Sequence, residues 1–351
     1  MSMKIRTPYY MFDKGKFCSM IQEYLNHGNL FYPIKANDHP MVVSTLCENR
    51  CSFEVDSIEH MKSLVNDYGV AAERLLYSYP IREELDIAEA EKLGIRNYVV
   101  DSFDEYEKIV LLSPDASFMV RLNTLQILED DLPPECDKWG FSIDDALSLI
   151  HRIQRDKRKI LGISFYITAE VNCVNAFERV LNSVAKHFTG ISVDYLNIGG
   201  GISLDTLKRV GATLQKAKNA VGAKAIILEP GRHLLNPCID LIVSVVSTRN
   251  MGGSRFVFIN AGIYHGLIDA VIKKRDYDFE DNKQSGGSQL VWSYVCGSSS
   301  DISDTLGKHL LRNDLAIGDQ LTIKECGAYS AVMQTHFYGR ARAEKVLKEC
   351  I

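Results

Sequence analysis

A chain of 351 residues, 46% hydrophobic and 24% charged, has the make-up of an ordinary globular protein with room for one large α/β domain and a smaller one. Its net charge of −5 is mild, no basic run points to nucleic acid, and no apolar stretch suggests a signal peptide or a membrane span. Nine cysteines without a CxxC pair fit reduced thiols in a cytoplasmic protein, and Cys47 and Cys51 lack the two further ligands a metal site would need.

Residues 7–12 read as a strand and 14–27 as a helix. A regular alternation follows. Apolar strand candidates fall at 29–34, 52–55, 75–78, 97–100, 118–122, 161–167, 194–198 and 225–229. Helical patterns lie between them at 40–48, 58–68, 83–93, 103–112, 142–155, 174–188 and 204–220. Strands spaced by helices run parallel, and eight of them predict a closed (β/α)8 TIM barrel over residues 24–236. A doubly wound sheet would want its glycine-rich turn after the first strand, whereas here the glycines follow the seventh. Beyond Pro237 the texture turns β-rich at 239–248, 255–259, 289–295 and 320–325. This predicts a second, mostly antiparallel β domain of residues 237–351, which residues 1–23 join through the first strand. The loop 277–287 is polar, and 340–350 reads as a closing helix.

Functional groups of such barrels collect at the C-terminal ends of the strands. The first strand, Phe31-Tyr32-Pro33-Ile34, ends on Lys35, an expensive place for an ammonium unless it is paired or neutralised. A partly desolvated lysine can form a Schiff base with a carbonyl cofactor; the plainer alternative is a side chain that snorkels to water. Other strand ends carry Glu54 and Asp56, Tyr79, Asp101, Arg121 with Asn123, and Tyr166. Gly199-Gly200-Gly201 after strand seven can turn backbone N–H groups toward a phosphate. Glu229-Pro230-Gly231-Arg232 closes strand eight, with a guanidinium for the same phosphate and a carboxylate for a ring nitrogen, or else a structural ion pair.

Taken in order, these residues resemble the pyridoxal-phosphate decarboxylases of the ornithine, diaminopimelate and arginine decarboxylase family. The likeness runs through Tyr32-Pro33-Ile34-Lys35-Ala36-Asn37, Phe53 to Glu59, Val100-Asp101-Ser102, Lys138-Trp139-Gly140-Phe141, the glycine triplet, Glu229 to Arg232 and Gly327-Ala328-Tyr329. It implies a barrel plus a β domain, and pyridoxal 5'-phosphate held by Lys35 as a Schiff base. Gly199, Gly200, Gly201, Arg232 and Tyr329 would serve its phosphate, Gly231 would also bind the cofactor, and Glu229 would pair with its ring nitrogen, so that a quinonoid intermediate can form. It also implies a homodimer with shared active sites. The segment Gly297-Ser298-Ser299-Ser300-Asp301 would bring Ser300 and Asp301 to the partner's site.

Three residues depart from the family. Ser300 stands where it has a proton-donating cysteine, and a hydroxyl is a far weaker acid than a thiol of pKa roughly 8.5. Tyr166 stands where a histidine stacks on the cofactor ring, and the phosphate-binding serine beyond it is missing, with Thr168 the nearest substitute and Ala169 none. The distal end of the substrate would lie near Lys273-Lys274-Arg275, where basic residues suggest an acidic substrate if they face the pocket; Asp269 keeps a diamino acid in view. The expected activity is decarboxylation of an amino acid or carboxylated diamino-acid derivative. The competing readings are an amino-acid racemase and a catalytically dead homologue acting as a binding or regulatory subunit.

Overall fold

The computed structural model describes residues 5–128, 138–167, 173–281 and 288–348. The chain forms two compact units: Met20–Lys35 with His39–His233, and Met1–Ser19 with Ala36–Asp38 and Leu234–Ile351.

The first unit is a closed barrel of eight parallel strands, β2 (Asn29–Pro33), β3 (Ser52–Val55), β4 (Leu75–Tyr77), β5 (Asn97–Val100), β6 (Ser117–Leu122), β7 (Lys159–Phe165), β8 (Tyr195–Asn197) and β9 (Ala225–Leu228). Closure comes from β2, which pairs with β3 on one side and with β9 on the other, Leu30 opposite Leu228. Four of the helices that return the chain start on serines: Ser57, Ser102, Ser142 and Ser203 each accept a bond from a first-turn N–H. Such a cap is worth about 1 kcal/mol, and it makes each helix begin promptly after the strand-end loop. Two helices differ from expectation. The 58–68 pattern ends in a π-turn, Ser63–Asp67, and the 204–220 pattern breaks into Leu204–Arg209 and Gly211–Val221.

Inside the barrel, Phe31, Leu76, Val99, Met119, Leu161 and Ile227 form one apolar layer, with Tyr195 packed against it. All six are buried, each contributing roughly 1.5–3 kcal/mol by leaving water.

The second unit holds a mixed sheet ordered β12-β15-β10-β11-β13-β14, with β1 on β10 and β16 on β1. Its strands are β1 (Tyr9–Phe12), β10 (Ile239–Met251), β11 (Ser254–Ile259), β12 (Phe279–Asp281), β13 (Leu290–Cys296), β14 (Thr305–Arg312), β15 (Gln320–Ile323) and β16 (Glu344–Leu347). All pairs are antiparallel except β1–β16 and β11–β13. The helix expected at 340–350 is corrected: Glu344–Leu347 is a strand, and 349–351 lie outside the described residues. Pairing with β1 gives its backbone partners, Tyr9 opposite Glu344, and Lys348 Nζ reaches Asp13 Oδ2 at 3.0 Å. Those tertiary bonds override the helix-forming composition.

Truncating the barrel layer is expected to unfold the first unit more easily. Met119→Ala removes a fully buried side chain whose sulfur also receives the Asn197 amide, so a loss of about 2–5 kcal/mol is expected from denaturant unfolding.

Candidate active site

Strand register brings the first groups together. Pro33 lies opposite Glu54, and Lys35 follows in the short 3-10 turn Ile34–Ala36 while Asp56 follows the end of β3. Lys35 Nζ lies 2.9 Å from Glu54 Oε1 and 2.6 Å from Asp56 Oδ2. The two carboxylates differ in access to water, Glu54 being 3% exposed and Asp56 24%. Desolvation works to lower the lysine pKa, but Glu54 and then Asp56 outweigh it and hold the ammonium above its ordinary range. Burial pushes Glu54 up to about 8 against the pull of Lys35, with Asp56 and Glu229 adding to the rise.

A second cluster forms at the ends of β7, β8 and β9. Asn197 is 1% exposed, a polar residue at the end of an otherwise apolar strand. Its Nδ2 donates to Glu229 Oε1 at 2.7 Å, and its Oδ1 accepts the Gly199 N–H at 2.8 Å. The Glu229 N–H returns a bond to the Gly199 carbonyl at 2.9 Å. These bonds draw the turn and β9 so close that a Cβ on Gly200 would stand 2.5 Å from the Glu229 carbonyl oxygen. Gly199 and Gly201 have φ of +69° and +76°, which favours glycine on conformational grounds as well. The Tyr166 ring lies along the same turn, Cδ2 being 3.4 Å from where a Gly199 Cβ would be. Gly231 is buried, and Arg232 begins the short helix Arg232–Leu235. Burial raises the proton affinity of Glu229, opposed by the Asn197 amide, Lys35 and Arg121.

Beside β6, Phe141 N–H donates to the Arg121 carbonyl and Asn123 N–H to the Phe141 carbonyl, both at 2.8 Å. This lays Lys138-Trp139-Gly140-Phe141 along the strand end, where Gly140 N–H meets Asp101 Oδ2 at 3.1 Å. Burial raises the Asp101 pKa, and the Gly140 N–H and Arg121 oppose it. Trp139 and Tyr79 pack edge to face, ring centroids 6.2 Å apart.

Ser300, Asp301 and Tyr329 belong to the second unit. Its loop Gly297–Asp304 is framed by Asp304, which is 2% exposed. That carboxylate accepts Ile263 N–H at 2.8 Å, Ser299 N–H at 3.0 Å and Ser299 Oγ at 2.7 Å. Ser300 Oγ is hydrogen-bonded to the Tyr338 hydroxyl. The Ser303 N–H and the Tyr264 hydroxyl hold the Asp301 carboxyl below its ordinary range. Tyr329 takes φ +53°, and its N–H donates to the Ala36 carbonyl at 2.8 Å, while Asn37 Nδ2 donates to the Gly327 carbonyl at 2.8 Å.

The structure therefore gathers Lys35, Tyr166, the glycine turn and Glu229 on one barrel end, with Asp56, Asn197 and Arg121 among them. The part played by Asn197 escaped sequence reasoning, although a buried amide closing the apolar run Tyr195-Leu196 was a signal. Thr168 and Ala169 lie outside the described residues, as do 282–287 of the polar loop. In the basic segment, Arg275 is used locally: it donates to the Glu325 carbonyl at 2.9 Å and lies over the Tyr277 ring. Lys273 and Lys274 are exposed.

A family model described as pyridoxal-dependent decarboxylase, pyridoxal binding domain, matches residues 15–236. The lysine/ornithine decarboxylase of Selenomonas ruminantium is 24% identical over 368 residues, 99% of this chain and 91% of that one. Among solved structures, a lysine/ornithine decarboxylase from Vibrio vulnificus complexed with cadaverine superposes with a TM-score of 0.86 at 24% identity, covering 98% of this chain and 95% of that one. The Paramecium bursaria Chlorella virus arginine decarboxylase bound to agmatine gives 0.88 at 20% identity, covering 98% and 96%. These structural likenesses concern the fold. No helix among the described residues is long and apolar enough to cross a membrane.

Asn197 gives the sharpest test of this arrangement. Asn197→Ala leaves the Gly199 N–H and a Glu229 oxygen without their partner, so a loss of about 1–3 kcal/mol is expected in denaturant unfolding. The same variant should retain pyridoxal phosphate less tightly in equilibrium dialysis.

Proposed function

The chain belongs to the pyridoxal-dependent decarboxylases, and from that premise we propose that it removes the α-carboxyl group of an amino acid with a cationic far end. The observation that carries this reading is one barrel end presenting an amine, a glycine turn and a buried carboxylate together. Those residues fit pyridoxal phosphate. Lys35 is an amine for its aldehyde; Gly199, Gly200 and Gly201 leave no Cβ to fend off its phosphate; Arg232 adds a donor. Glu229, with its raised proton affinity, suits a pyridine nitrogen. When bound, the cofactor supplies an electron sink for the pair left behind as carbon dioxide departs.

The chain's own residues do the rest. Glu229 would hold the ring nitrogen's proton, and Asn197 fixes the carboxylate that would do so. Tyr166 offers a flat face beside the glycine turn, a neutral aromatic where the family resemblance implies an imidazole. For the substrate's far end, Asp301 is a carboxylate held ionised by Ser303 and Tyr264, whereas Arg275 is taken up by backbone carbonyls. That contrast favours a basic amino acid over an acidic one. A racemase is disfavoured because a carboxylate at the ring nitrogen strengthens the electron sink that decarboxylation needs. A dead homologue would have no use for this set of residues. The free cysteines among the described residues support a cytoplasmic setting.

We further propose a homodimer in which the Gly297–Asp304 loop of one subunit serves the barrel of the other, since Ser300 and Asp301 belong to the smaller unit.

Carbon dioxide release from a panel of ornithine, lysine, arginine and acidic amino acids tests the activity. Basic members should react and acidic ones should not. Lys35→Ala should abolish both turnover and the cofactor's borohydride-reducible absorbance in a folded protein; a racemised, undecarboxylated product would sink the reading. Mixing inactive Lys35→Ala subunits with inactive Asp301→Ala subunits should restore part of the activity, and verified exchange without recovery would place each site within one chain.

A further inference from the structure

Ser164 is a polar residue of β7, 6% exposed, whose Oγ has no hydrogen-bond partner among the described residues. Its place in the barrel shows where that hydroxyl points. Ser164 lies opposite Arg121 of β6 and opposite Asn197 of β8. Asn197 turns into the barrel, where its Nδ2 meets the Met119 sulfur at 3.4 Å and Glu229 Oε1 at 2.7 Å. Arg121 follows Met119 by two residues and shares its inward face. The β6–β7 register shifts between Phe118 and Met119, and the extra residue on β7 lets Leu161 and Ser164 both face inward. We propose that Arg121 and Ser164 together form an oxyanion subsite for the ring oxygen of pyridoxal phosphate. This rests on the decarboxylase reading and adds two cofactor-binding residues to it.

The chemistry of the cofactor leaves one polar group to be placed. Its aldehyde is met by Lys35, its phosphate by the glycine turn and its ring nitrogen by Glu229. The group that remains is the ring oxygen, next to the carbon that bears the aldehyde, and when ionised it needs donors. Most side chains at this barrel end are already committed. Glu54 and Asp56 face Lys35, and the Asn197 amide is divided between Glu229 and the Gly199 N–H. Arg121 is not: among the described residues its guanidinium makes no ion pair. Its charge nevertheless reaches this pocket, since it opposes the rise in proton affinity of both Asp101 and Glu229. A guanidinium and a hydroxyl on neighbouring strands suit an oxyanion, the first supplying charge and the second an aimed hydrogen bond.

A purely structural serine behaves differently. A hydroxyl kept to hold the barrel together would have its partner within the barrel, and its loss would weaken folding. Removing a buried hydroxyl without a partner instead removes an unsatisfied group, so folding is left intact or improved. Ser164→Ala therefore separates ligand binding from stability. Changes to the Arg121 side chain leave in place the backbone bond by which its carbonyl holds the Phe141 N–H.

The test compares two ligands by equilibrium dialysis against the full chain stripped of cofactor. One is pyridoxal phosphate; the other is 3-deoxypyridoxal 5'-phosphate, which lacks the ring oxygen and keeps the other three groups. The wild-type chain should prefer pyridoxal phosphate by roughly ten- to a hundredfold, the range of a hydrogen bond to a charged group. Ser164→Ala should cut that preference several-fold, Arg121→Met should remove most of it, and Arg121→Lys should restore part. Cofactor-free Ser164→Ala should resist denaturant at least as well as the wild type. A preference unchanged in folded Ser164→Ala or in folded Arg121→Met overturns the subsite. So does an equal loss of affinity for both ligands, or a less stable Ser164→Ala, either of which marks a structural role. If the wild-type chain takes up neither ligand, the decarboxylase reading falls and this inference with it. A chain that binds both ligands equally well keeps that reading and loses the subsite alone.

Discussion

The ion cluster at the end of β2 is the constraint on which this architecture turns. An ammonium and two carboxylates drawn partly out of water are penalised by on the order of several kcal/mol per ion unless each finds a partner. The pairing of β2 with β3 brings the partners near, since Glu54 lies opposite Pro33 and the turn after β2 carries Lys35 to Glu54 and Asp56. The apolar layer of Phe31, Leu76, Val99, Met119, Leu161 and Ile227 lies within the same barrel. Burial is thus what raises the proton affinity of Glu54, while Glu54 and Asp56 together hold the Lys35 ammonium above its ordinary range. Chemistry and packing share one cause.

The same reasoning explains why residue 197 is an amide. It has to satisfy a backbone N–H on one side and a carboxylate on the other, which needs an acceptor and a donor on one side chain. A carboxylate there would face Glu229 as a like charge, and an aliphatic residue would leave both groups unpaired. The neutral clasp also brings β9 against the turn, and that closeness excludes a side chain at 200. Glycine at this place is therefore a packing requirement of the Asn197–Glu229 contact as well as an opening for a ligand.

Much of this was legible in the residues, for a physical reason. Each barrel strand is a short apolar run bounded by a polar strand-end loop, and serine caps mark where several helices begin. A lysine or glutamate closing such a run stands out, which is how Lys35 and Glu229 were singled out. Asn197 was harder to weigh because its partner Glu229 lies 32 residues away. Tyr338, 38 residues beyond Ser300, carries no local mark of the contact either. Strand β14 went unread because Gly307, Lys308 and His309 interrupt its alternation, and its pairing with β13 shifts register there. The segment 340–350 was misread since its composition favours helix, while its backbone partners come from β1 at the other end of the chain.

The serine at 300 acquires its meaning from the loop that carries it. Asp304, not residue 300, sets the loop's frame, by taking the N–H groups of Ile263 and Ser299 and the Ser299 hydroxyl. A change of side chain at 300 can therefore alter acid strength while that frame stands. Such a change removes a proton source without removing the need for one, since every lost carboxyl group must be replaced by a proton from somewhere.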